Sequence, residues 1–223
     1  MDIKLNKIMK LSVFALFFIV FSYFKVSFGL GSYKFFFSGI NFIAPLVGVF
    51  FSLPVSVFFL AIVFLIKKIA IGGILTFGLP TIISSLCFSD SLINNNKLLD
   101  FSLKVLLPLL AITLFCIHPT GNKAYLYSFY WFVPVAIYFV NKIAKYNSIY
   151  LTALTATFLA HAVGSVIWLY VLNLNEVVWN SLIPIVAVER LVFSAGISLI
   201  FILIKQINFS LSEKLFCFKC YLK

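Results

Sequence analysis

Acidic side chains are nearly missing from this sequence: six Asp and Glu stand in 223 residues, and charges of either sign make up only 10%. A chain that is 63% hydrophobic cannot cover itself with a solvated surface, so a soluble globular domain is excluded. One integral membrane domain over residues 1–223 is expected instead. Arginine is absent except at Arg190, whereas lysine occurs sixteen times. The +11 net charge lies mainly in tails and short loops, as the positive-inside rule and contact with anionic membrane lipids require. Nucleic-acid binding would need a basic face on a soluble module, so no nucleic-acid partner is expected.

Reactive and metal-ligating residues are also few. Of four cysteines, Cys87 and Cys116 are isolated, and Cys217 and Cys220 form a lone C-x-x-C in the basic tail 205–223. The two histidines, His118 and His161, lie far from that pair in sequence, so neither a zinc site nor any other cofactor is expected. There is no G-x-S-x-G, no H-E-x-x-H and no aspartate-rich metal motif. The 28 phenylalanines, the lysine excess and the run Asn94 to Asn96 point to A/T-rich coding, and no function is read into them.

What is abundant is long apolar sequence. Lys4, Lys7 and Lys10 precede the apolar stretch Leu11 to Phe24, which reads as a retained anchor with a cytoplasmic tail at 1–10, because Phe24-Lys25-Val26 is a poor cleavage site. The largely apolar run Phe35 to Ile66 would measure about 48 Å as one helix against roughly 30 Å of hydrocarbon, so it must tilt, bend or split, with Pro54 the favoured break. Ile69 to Ser89 contains Gly72, Gly73, Gly78 and Pro80, the pattern of a broken or re-entrant helix or of a kinked span. A span over Val105 to Ile117 gains length if it begins at Leu98 or Phe101. Tyr125, Tyr127, Tyr130 and Trp131 open the next span as an expected interfacial belt. Two further spans, Ile149 to Leu172 and Ser181 to Ile204, are joined by Asn173 to Asn180. The expected fold is an all-α, polytopic helix bundle of about six transmembrane helices plus the broken segment. An even number of crossings puts both termini in the cytoplasm of a plasma (inner) membrane.

The last two spans carry groups that hydrocarbon rejects. Thr157, His161, Ser165 and Trp168 recur at helical spacing on one stripe, and Glu189 and Arg190 stand together in the final helix. Ala156, Ala160 and Gly164 form a small-residue ladder beside the stripe, suited to close helix packing. Consecutive residues project about 100° apart, so Glu189 and Arg190 are expected to find separate partners. His161, at matched depth, is the expected partner of Glu189. The six residues Thr157, His161, Ser165, Trp168, Glu189 and Arg190 form the candidate small-molecule ligand site.

In size, number of spans, cytoplasmic tails, glycine-rich broken segment and polar midplane, the chain resembles the substrate-binding (S) components of energy-coupling factor transporters. That resemblance covers the whole chain at the level of architecture. It implies a vitamin-like solute, no chemical reaction and ATPase-driven energy-coupling partner subunits. The small-residue ladder departs from the family pattern, since it lies at Ala156 to Gly164 and not in the first helix. The expected function is therefore a small-solute transporter or its substrate-binding subunit. The alternatives are an intramembrane enzyme with His161 as base, Glu189 as orienting acid and Arg190 as anion binder, or a structural membrane protein.

Overall fold

The computed structural model describes residues 20, 23, 25–30, 33–50, 57–58, 61, 76, 78–94, 96–146, 148–172 and 174–206. These residues are mainly helical, with one antiparallel hairpin of β1 (Lys25–Leu30) and β2 (Tyr33–Ser38), paired from Lys25 opposite Ser38 to Leu30 opposite Tyr33. The run expected to be helical from Phe35 thus begins as a strand, and its helix α1 starts at Ile40 and continues to Phe50. The proposed break at Pro54, the anchor Leu11 to Phe24, the tails and the Cys217/Cys220 pair lie outside the described residues, apart from isolated positions.

Helix α2 (Leu79–Ser89) begins immediately after Gly78, with Pro80 in its first turn. Gly78 is itself in helical conformation, and Thr76 and Gly78 lie in a π-type turn, so a wide turn leads into α2 where Pro80 has no N–H to donate. Only Thr76 and Gly78 to Ser89 of the glycine-rich segment are described, and the path of Ile69 to Leu75 lies outside them.

Among the described residues, three helices are long and apolar enough to cross a membrane: α3 (Lys97–Ile117), α6 (Ile149–Val171) and α7 (Glu176–Gln206). Helix α3 gains its length by starting at Lys97, where Asn96 caps it by accepting from the N–H groups of Leu98 and Leu99. Its wide π-type turn at Ser102–Leu106 accommodates Pro108, which has no N–H to donate to the preceding turn. Between α3 and α6 lie α4 (Pro119–Lys123), a 3-10 segment (Tyr125–Trp131) and α5 (Phe132–Ala144). The polar connection before α7 is shorter than expected, because Glu176 already lies in the helix, where its carboxylate favours the N-terminal turn.

The bundle exposes aliphatic side chains while a set of polar groups shares its largely apolar core. Leu106, Leu110, Ile117, Leu191, Val192 and Leu199 are exposed, whereas Thr155, Thr157, Ser165, Glu189, Arg190, Ser194 and Ser198 are buried. Where the surroundings are hydrocarbon, aliphatic side chains can face outward, and hydrogen-bonded polar groups help hold helices together. Of the small-residue ladder, Ala156 is buried, Ala160 is partly buried, and Gly164 lies against Pro80 of α2, with the position of an added Cβ 3.4 Å from the proline ring. Closer still, Gly48 of α1 meets Ser85 of α2, where an added Cβ would fall 2.3 Å from Oγ and 2.7 Å from the backbone oxygen.

Candidate functional site

The polar stripe of α6 faces two sets of partners. In the first, His161 is the hub. Trp131 donates its indole N–H to His161 Nδ1 at 3.1 Å. His161 Nε2 lies 2.7 Å from the Tyr127 hydroxyl and 3.4 Å from Ser165 Oγ, and the two hydroxyls are 3.2 Å apart. Because Nδ1 accepts from Trp131, the neutral ring carries its proton on Nε2 and donates toward Tyr127 and Ser165. Tyr127 then has its own proton to give to Ser165.

Tyr127 and Trp131 are 2% and 0% exposed, so they belong to the core and not to an interfacial belt. The 3-10 segment turns them inward onto α6, where Phe115 stacks on Tyr127 and meets Trp131 edge to face. Tyr125, by contrast, is 50% exposed, as a belt residue would be.

Arg190 of α7 is the second hub, and it meets the stripe at Thr157, one turn before His161. Its Nη1 donates to the Thr157 carbonyl at 3.1 Å, its Nη2 pairs with Glu189 Oε1, and its guanidinium lies 5.1 Å from the Phe193 ring. Thr157 Oγ1 is 3.3 Å from Ser194 Oγ, and Ser194 donates to the Arg190 carbonyl. The expectation of separate partners for Glu189 and Arg190 fails, because two long side chains can curve toward each other across 100° of helix. An unpaired charge buried here would cost more than the rotamer restriction of pairing. Glu189 is accordingly engaged with Arg190, and the hydrogen bonds of His161 go to Trp131, Tyr127 and Ser165.

Of the six candidate residues, five therefore stand in these two adjoining networks. Trp168 is partly buried against the apolar cluster that contains Tyr127, Trp131 and Trp179. Two buried donors on α7 lack an acceptor among the described residues, Arg190 Nε and Trp179 Nε1. Their spacing of eleven residues, close to three helical turns, places them on one face of α7.

This arrangement has definite chemical limits. A general base at His161 needs an unprotonated nitrogen facing its substrate, yet Nδ1 is occupied by Trp131 and Nε2 is a donor. Ser165 consequently has no base to activate it. Among the described residues, no three His, Cys, Asp or Glu side chains gather to hold a metal ion. What remains is a buried, donor-rich seam between two apolar helices.

Among the described residues, three membrane-length helices with aliphatic outer faces define a mainly helical fold compatible with residence in a membrane. In comparisons with protein-family models, curated proteins and solved structures, nothing matches the chain.

Proposed function

We propose that this chain is a multi-pass inner-membrane protein that binds a small anionic solute in the seam between α6 and α7, as a transporter or as its substrate-binding subunit. The observation that carries the reading is Arg190. A guanidinium offers five N–H donors. At this position one nitrogen serves Glu189, one serves the Thr157 carbonyl, and buried Nε has no acceptor among the described residues. A carboxylate or phosphate oxygen is the natural acceptor for such a group.

The His161 network serves as the wall of this site. Its imidazole is committed on both nitrogens, so it orders α6 against the Tyr127–Trp131 segment and leaves recognition to Arg190. Covalent chemistry plays no part in this reading. The architectural resemblance to S components extends it: both termini are cytoplasmic and energy-coupling subunits supply the driving force. Native mass spectrometry of the detergent-purified protein tests the reading, with a retained anionic small molecule expected. Uniformly solute-free protein, from cells and after incubation with a library of small carboxylates and phosphates, would overturn it.

A further inference from the structure

A polar cavity of about 340 Å³ lies at the N-terminal end of α3, with none of the Arg190 seam's residues in its lining. Its walls bring together Lys97 and Lys104 of α3 and Lys142 of α5, with Asp100 as the acid among its lining residues. Lys104 is 8% exposed and is held by an ion pair to Asp100 one turn earlier. Lys142 rests over the Tyr138 ring, 4.6 Å from its centre. Neither Lys97 nor Lys142 has a carboxylate within ion-pair distance among the described residues. Asn141, also in the wall, has a buried amide oxygen with no partner. Rotated about its last bond, that amide would present its NH₂ group.

Three ammonium groups against Asp100, with the buried carboxyl of Asp90 beside the lining residue Ser91, leave about one to two positive charges around a cavity too large for a single water. That excess suits the single negative charge of a phosphodiester and the −1.5 to −2 of a phosphate monoester. The cavity lies at the end of a membrane-length helix, the depth at which headgroup phosphates lie. Scattered surface lysines would be solvated independently. Here Lys104 is buried and oriented by its acid, and the other two lysines come from different helices. We infer that this cavity is a phosphate-group site, filled by an anionic lipid headgroup or by a soluble phosphate, and independent of the solute proposed for Arg190.

The test compares Lys97→Gln/Lys142→Gln with a charge-matched control, Lys123→Gln/Lys145→Gln, whose exposed lysines lie outside the cavity. Lys97 and Lys142 are themselves exposed, and melting curves verify that both variants fold. Delipidated protein is titrated with phosphatidylglycerol or phosphatidylcholine by native mass spectrometry, and with radiolabelled inorganic phosphate by equilibrium dialysis. Phosphatidylglycerol or inorganic phosphate should bind the unaltered protein, and the cavity variant should bind it about tenfold more weakly, against less than about twofold for the control. Binding of phosphatidylglycerol alone assigns the site to a headgroup, and binding of inorganic phosphate assigns it to a soluble ligand. The inference is overturned if neither binds, if phosphatidylcholine binds as well as phosphatidylglycerol, or if the cavity variant loses no more than the control.

Discussion

Trp131 donates its indole N–H to Nδ1 of His161 across 3.1 Å, and that bond fixes the role of the imidazole. It makes His161 a donor on its other nitrogen and ties the 3-10 segment to α6. At pH 7, nitrogen NMR of labelled protein should therefore find His161 neutral with its proton on Nε2. A proton on Nδ1 would contradict the arrangement. Trp131→Phe should destabilise the protein by about 2–4 kcal/mol, through the lost donor and the cavity left behind.

Coupling between residues offers a second check. His161 touches Tyr127 and not Glu189 in its hydrogen-bond network, so a double-mutant cycle of His161→Gln with Tyr127→Phe should show coupling above about 0.5 kcal/mol. The cycle of His161→Gln with Glu189→Gln should come closer to additivity. The reverse ranking would restore the direct His161 to Glu189 contact suggested by their matched depth.

The glycines of the helix interfaces separate close approach from ordinary packing. Gly48→Ala places a methyl group on the backbone of Ser85 and should lower stability by about 1–3 kcal/mol. Gly164→Ala meets Pro80 at 3.4 Å and gains helix propensity, so its melting temperature in detergent should match or exceed that of the parent. Equal losses at both positions would mean that α1 and α2 are not packed as described.

Asp90, just beyond the end of α2, is 1% exposed, and burial holds its carboxyl above the ordinary carboxylate range. Its Oδ1 accepts from the Asn96 N–H at 3.4 Å, and Oδ2 has no partner among the described residues. For an acid raised in the folded state, ionisation is costlier folded than unfolded. Its contribution to stability therefore falls as pH rises from the unfolded value, about 3.9, through the raised folded value. Asp90→Asn should melt higher than the parent at pH 7, with the gap closing toward pH 4. A gap that widens on acidification would reverse the assignment.

Much of the bundle was legible because bilayer crossing imposes length and composition on a helix. The spans at Ile149 and Ser181, the extension of α3 toward Leu98, and the packing role of Gly164 all followed from such local rules. The hairpin at Lys25 to Ser38 was not legible, since β-branched and aromatic apolar residues suit either a strand or a membrane helix. The stripe Thr157, His161, Ser165 was readable from spacing, but its partners were not. Tyr127 and Trp131 carry the usual signature of an interfacial belt, and only the 3-10 turn directs them inward. The Glu189 to Arg190 pair was missed because backbone angle alone underestimates the reach of two flexible side chains.

The most direct test of the proposed site is solute retention by Arg190→Lys set against its melting temperature. Lysine keeps the charge and loses the planar fork. If Arg190 anchors an anionic solute, the variant should remain folded, melt within a few degrees of the parent in solute-free detergent, and retain the solute about tenfold more weakly. If the variant loses melting temperature while the folded fraction retains the solute as well as the parent does, Arg190 is a structural clasp and the site lies elsewhere.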